Sequence, residues 1–211
     1  MLIFEGTKNC EVYAVKLDLD GISKIFILID TPGLHGRDSE EKDLKVLENI
    51  ALTLDKDIHG LGLEVTGAIF FHNITQGKLT GIVPSTLKIF ASMCGDTFSN
   101  SRVAFLTTQW DDIEEGALGK YKKYNVDIGG KLKTLYPKWP PVFVRERNEA
   151  ASCKEVLQHF SALARSEVSP SPFALLTEWQ SAKGDIKETS AGKRLLGRPD
   201  SAAVQVQSAI V

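Results

Sequence analysis

The sequence predicts an α/β fold built on a mostly parallel sheet, with an antiparallel hairpin at one edge. Three observations point there. Strand-like and helix-like segments alternate along most of the 211 residues, which is the signature of a parallel sheet with crossover helices. Lys24-Ile-Phe-Ile-Leu-Ile29 is apolar on both faces, as a strand buried in the middle of a sheet is. Asp20-Gly21 separates that run from the alternating segment Glu11–Leu19. A two-residue Asp-Gly loop is a hairpin signal, because Gly accepts positive φ at no steric cost.

Each element then follows in order. Val12, Leu17 and Leu19, with Ala14 more weakly, mark the first strand, which has one slip in its alternation. The second strand ends at Asp30-Thr-Pro-Gly33, a turn. Asp38 and Ser39 can cap a helix over about residues 40–54, where Leu44, Leu47, Ile50, Ala51 and Leu54 fall at helical spacing. Gly67-Ala-Ile-Phe-Phe-His72 reads as a short strand. Pro84 opens a helix that Gly95 stops. Arg102–Leu106 is a buried strand. Residues 112–138 carry only a weak, glycine-interrupted helical pattern. Val142–Arg145 is a last strand, and Ser152-x-x-Glu155 forms a capping box before Val156, Leu157, Phe160 and Leu163. Beyond Ser166 the composition shifts to Ser, Pro, Lys and Gly, with short helices expected at 172–180 and 185–196. The expected organisation is an α/β domain over 1–166, a helical extension over 167–196 and a loose, disordered tail over 197–211.

Composition excludes several functions. The net charge of −2 argues against a nucleic-acid binder and a polybasic membrane binder. The longest apolar runs are about five residues, too short for a membrane-spanning helix. The first residues lack the basic start and apolar core of a signal peptide. Three cysteines with no CxxC spacing favour neither a disulfide framework nor a zinc site, and fit a reducing, cytoplasmic compartment. The four histidines lack HxxxH or HExxH spacing, and no GxSxG is present, which disfavours a zinc hydrolase and a serine hydrolase. Asp18-Leu-Asp-Gly21 matches the DxDG start of haloacid-dehalogenase-type phosphatases. That fold needs a loop and a helix next, whereas a buried strand follows here within about four residues, so the hairpin turn is preferred.

Two segments carry the chemistry. Asp30-Thr31-Pro32-Gly33 lies at the C-terminal end of a strand, where open α/β sheets bind ligands. There an Asp can reach Mg²⁺ through water, and a Gly N–H can approach a γ-phosphate. Asp, Pro and Gly also make ordinary turns. Thr107-Thr108-Gln109-Trp110-Asp111 ends another strand. An Asp111 carboxylate matches the paired donors of guanine, N1–H and the exocyclic amine, which adenine lacks. Helix capping is its plainer role. Thr7, in the loop before the first strand, is a candidate Mg²⁺ ligand.

Taken with Gly6–Val12, Ile29–Gly33, Gly67–His72, Phe90–Asp96, Val103–Asp111 and Thr189-Ser-Ala-Gly-Lys193, over about residues 3–196, the sequence resembles the G-domain proteins of the septin and immunity-associated GTPase group. The likeness is greatest to fungal G domain-containing proteins. That resemblance implies a three-layer P-loop NTPase-like fold, GTP/GDP and Mg²⁺ as ligands, and slow GTP hydrolysis. It implies Thr7 and Asp30 at the metal, Gly33 at the γ-phosphate, and Thr108, Gln109 and Asp111 at guanine, with Asn148 to Ala151 supplying a loop over the base. It also suggests a G-domain dimer or a protein partner.

The sequence departs from that pattern. A P-loop reads GxxxxGK followed by Ser or Thr. The four Gly-Lys pairs, at Gly77, Gly119, Gly130 and Gly192, are followed by Leu79, Tyr121, Leu132 and Arg194. The first strand and the phosphate loop of a G domain are therefore lacking. Without the P-loop amides and lysine, a triphosphate has little counter-charge. The expectation is a chain that starts inside a G domain, as a truncated gene model or splice form would, with impaired binding. A non-catalytic pseudo-GTPase interaction module is the alternative. Leu34 stands where Ras-type GTPases orient water with Gln, a residue that septin-like and immunity-associated relatives also lack. His35 is a candidate for that role, although a solvated loop histidine is the plainer reading. Thr108 and Gln109 replace the Asn and Lys common in guanine motifs. Trp110 is either packing at the base or core.

Overall fold

The computed structural model describes residues 7–19, 21–34, 40–76, 83–96, 102–137, 143–144, 149–164 and 172–197. The fold is mixed α/β, with a small parallel sheet and an antiparallel hairpin. The described residues group into two compact units. One draws on Met1–Glu64, Lys88–Met93 and Phe173–Val211, the other on Val65–Leu87 and Cys94–Pro172.

In the first unit, β1 (Glu11–Leu19) and β2 (Ile22–Asp30) pair antiparallel without a bulge, from Glu11↔Asp30 to Leu19↔Ile22. Gly21 has φ +77°, the left-handed turn conformation that favours glycine. Two expectations are corrected here. Among the described residues the hairpin is a two-stranded sheet of its own, not the edge of the parallel sheet. And β2 is not buried: Ile25 is 71% exposed, and Ile22, Ile27 and Leu28 are exposed as well. The physical reason is packing. Among the described strands β2 pairs with β1 alone, and a strand's side chains are buried only where helices or sheets also pack on the faces of its sheet.

Helix α1 (Glu40–Thr53) starts with Glu40, Glu41 and Asp43 in its first turn, where acidic groups meet the positive end of the helix dipole. Asp43, Leu47, Ile50 and Ala51 form its buried stripe. The stripe runs on through Leu54 and Ile58 of a π-helical turn, Leu54–Ile58. The caps expected at Asp38 and Ser39 lie outside the described residues. Residues 172–197 hold two short helices. Helices α5 (Ala174–Ser181) and α6 (Ser190–Leu195) pack on α1. Leu175 and Ala191 are fully buried there, and a buried leucine contributes ~1.5–3 kcal/mol. Gln180 Nε2 donates to Asp55 Oδ1 at 2.7 Å. Glu178 accepts from Ser190 N at 2.5 Å and from Ser190 Oγ at 2.8 Å. Thr189 caps α6 by accepting from Gly192 N at 3.1 Å. A Cβ on Gly192 would stand 1.9 Å from the Ile186 carbonyl oxygen, so the Thr-Ser-Ala-Gly-Lys segment has a packing reason for its glycine.

In the second unit, β3 (Ala68–Asn73), β4 (Val103–Thr108) and β5 (Phe143–Val144) form the parallel sheet in that order. Phe70 and Phe105 are direct cross-strand partners, with stacked rings 5.4 Å apart. Helix α4 (Glu149–Ala164) buries Val156 and Phe160 against Ala104 and Leu106. It begins three residues before Ser152, so Ser152 and Glu155 lie inside the helix rather than forming a capping box. Glu149-Ala-Ala151 are strong helix formers and extend it upstream. The weakly patterned stretch over 112–138 holds an 18-residue helix, α3 (Leu118–Leu135), which crosses Gly129 and Gly130 without a break. Ile128 and Leu132, four apart, are its buried anchors. Tertiary burial offsets the ~1 kcal/mol that each helical glycine costs. Helix α2 (Val83–Cys94) ends at Gly95, φ +75°. Among the described residues, no helix is long and apolar enough to cross a membrane.

Candidate functional site

The candidate residues fall in both units. Thr7, Asp30 and Gly33 belong to the first. Thr108, Gln109 and Asp111 belong to the second. Asn148 and His35 lie outside the described residues.

Asp30 is the last residue of β2, where the chain leaves the hairpin. Thr7 Oγ1 donates to Asp30 Oδ2 at 2.8 Å across 23 positions of sequence. Pro32 is buried and Gly33 exposed. A Cβ at Gly33 would meet nothing within 4 Å, so neither packing nor a left-handed backbone demands glycine there. The surface beside its backbone is open to a ligand. Glu11 sits directly across the hairpin from Asp30. Like charges so placed repel, and a bound cation would relieve them. The Tyr13 hydroxyl donates to Glu11 Oε2. That bond and the Glu11 charge hold the Tyr13 hydroxyl above its ordinary pKa, and Asp30 adds to the effect. Burial raises the Cys10 thiol, a hydrogen bond with Thr53 lowers it, and Asp30 raises it again. Sequence reasoning missed Glu11. Its register position against Asp30, read from the Asp20-Gly21 turn, was the available signal.

Among the described residues, no three His, Cys, Asp or Glu side chains gather as a metal site. A nucleotide-bound Mg²⁺ asks for less. It takes one or two protein oxygens and completes its octahedron with phosphates and waters. The Thr7 hydroxyl and Asp30 carboxylate are hard oxygen donors of that kind.

In the second unit, β4 is buried from Val103 to Thr107. Gln109 turns the chain with φ 61°, and Trp110–Asp112 form a 3-10 turn. The Trp110 indole is core, 3% exposed. Its Nε1 donates to Thr107 Oγ1 at 3.1 Å, and Thr107 Oγ1 donates to Asn125 Oδ1 at 3.1 Å. This relay pins the turn to α3 and leaves Gln109 and Asp111 on the surface. Thr108 Oγ1 donates to the His72 carbonyl at 3.4 Å, joining the C-terminal ends of β4 and β3. Asn73, at the end of β3, accepts from Thr75 N at 2.8 Å and Thr75 Oγ1 at 2.7 Å. This is an Asx turn, and its Asn-x-Thr spacing was legible but unread. Asn125 was also missed, because a lone asparagine within a helix has no local signature.

No protein-family model matches this sequence, and no curated protein matches it either.

Proposed function

We propose that this chain is a guanine-nucleotide-binding protein of the G-domain type that takes GTP or GDP with Mg²⁺. Thr7 and Asp30 would hold the metal, and the Gly33 N–H would meet the terminal phosphate. Thr108, Gln109, Asp111 and Asn148 would read the base. The observation that carries this reading is the 2.8 Å hydrogen bond between Thr7 and Asp30. It joins two residues far apart in sequence that the resemblance assigns to one metal ion. The exposed Asp111 carboxylate, on a turn anchored by Trp110, supports the base-reading role. A carboxylate accepts from both guanine donors at once, a bidentate match.

Within this reading these 211 residues by themselves bind a triphosphate weakly, because none of their Gly-Lys pairs forms the P-loop that neutralises it. Hydrolysis is slow, since the Leu34 side chain has no donor or acceptor to orient water. The same missing P-loop favours a second reading, a non-catalytic interaction module that keeps part of a G-domain shell.

Thermal-shift measurements with GTP, GDP and ATP, each with and without Mg²⁺, separate the two. The first reading expects a Mg²⁺-dependent stabilisation by GTP that exceeds that by ATP. Asp111→Asn should erase the guanine preference, and Asp30→Asn the Mg²⁺ dependence. No shift with any nucleotide at millimolar concentration would leave the interaction module.

A further inference from the structure

We propose that Asn125 is a positioning residue for base recognition, holding the Gln109–Asp112 turn in the shape that presents Asp111. It acts through Thr107 and Trp110 rather than on the base. The role rests on Asp111 being the guanine reader, and every residue in it belongs to the second unit.

The turn needs holding. Gln109 takes φ 61° and ψ 36°, the left-handed region that Gly, Asn and Asp accept more readily than a longer side chain. Such backbone persists only where its surroundings fix it, and it gathers at binding sites. Gln109 is exposed, so the hold comes from its neighbours. Trp110, the next residue, is buried. Ile113 N donates to the Trp110 carbonyl at 3.3 Å and closes the 3-10 turn. The short turn Ile74–Gln76 packs on both Trp110–Asp112 and α3, with Ile74 fully buried.

Hydrogen-bond chemistry gives Asn125 its part. An indole N–H donates and cannot accept. The 3.1 Å bond from Trp110 Nε1 therefore uses the Thr107 hydroxyl oxygen as acceptor. Thr107 is fully buried, so its own proton must go to a protein group, and Asn125 Oδ1 takes it at 3.1 Å. Bonds in such a chain polarise one another. The Asn125 acceptor thus strengthens the grip on the indole. Asn125 lies on the face of α3 that carries Ile128 and Leu132, so these buried anchors fix where its Oδ1 stands. Asp111 follows Trp110 directly, and its carboxylate moves with the indole.

Two measurements on the full chain test this: exchange of the Trp110 indole N–H by NMR without nucleotide, and the ratio of GTP to ATP affinity with Mg²⁺. Trp110→Phe assigns the indole signal among the three tryptophans. Asn125→Leu removes the acceptor. It should speed indole exchange about tenfold, the worth of one hydrogen bond, while the β4 backbone amides exchange as in the natural chain. It should also lower the GTP-over-ATP ratio by about tenfold. Asn125→Asp keeps an oxygen acceptor in the same place and should retain both natural values. An asparagine that only stabilised the fold would lower the melting temperature and leave the ratio alone. Unchanged indole exchange in Asn125→Leu overturns the proposal. So does acceleration shared by all the β4 amides, or faster indole exchange with an unaltered ratio. If the natural chain binds no nucleotide, the guanine reading fails instead, and the exchange measurement still decides whether Asn125 holds the turn.

Discussion

The Thr7 hydroxyl donates to the Asp30 carboxylate at 2.8 Å, tying the loop before β1 to the last residue of β2. The bond is exposed, so water competes for both partners and its net contribution to stability is small. Its consequence lies in what it positions, two hard oxygen donors at the end of a strand.

Thr7→Ala and Asp30→Asn should therefore leave the melting temperature of the ligand-free protein nearly unchanged. Both should reduce the Mg²⁺-dependent part of stabilisation by GTP. Scanning fluorimetry with and without Mg²⁺ checks this, and a large loss of stability in the ligand-free variants would show that the pair is structural.

Thr107→Val tests the buried relay in the second unit. Thr107 is fully buried and serves Trp110 and Asn125 at once. The near-isosteric valine leaves both partners unsatisfied, at a cost of ~1–3 kcal/mol. Trp110→Phe removes one donor and should cost less on that account. The double variant should fall short of the sum, because both changes break the same bond. Urea midpoints at constant m-value measure all three.

Two glycines are held by contact rather than by conformation. A Cβ at Gly192 would meet the Ile186 backbone oxygen at 1.9 Å, and one at Gly67 would meet the Phe160 ring at 2.3 Å. Gly192→Ala should cost about 3 kcal/mol or more, since backbone must move. Gly67→Ala presses on a side chain instead. Combining it with Phe160→Leu should cost less than the two single changes summed, because the ring that blocks the new methyl group is gone. Thermal unfolding of the four variants checks the ranking.

Burial holds the Cys94 thiol far above its ordinary pKa. The folded state keeps the proton, while the unfolded thiol gives it up above about pH 8.5. Stability from this group is intact below that pH and falls as pH rises beyond it. Unfolding midpoints at neutral and at alkaline pH should therefore converge more closely in Cys94→Ala than in the natural chain, against a lower baseline from the lost packing.

The hairpin shows how much was legible. Asp20-Gly21 and the alternation in Glu11–Leu19 are local signals, and they set the β1–β2 register to the residue. Helix α1 was equally readable, because its stripe from Leu47 to Leu54 repeats at the helical period. Helix α3 was not. Its glycines speak against a helix locally, and only burial of Ile128 and Leu132 outweighs them. Ser152 misled in the opposite sense, since a capping signature carries no information about an earlier helix start.

The sequence by itself determined the α/β alternation, the chain order of Thr7, Asp30-Thr-Pro-Gly33 and Thr107–Asp111, and the lack of a GxxxxGK motif. These are properties of local composition and spacing. Only the tertiary structure decided that Thr7 meets Asp30, that Trp110 is core bound to Thr107, and that β2 is exposed although it reads as a central strand. The physical reason is that apolar content records how much burial a strand can gain. Whether it gains that burial depends on what packs on the faces of its sheet and beside it, and that is a property of tertiary contacts across the chain.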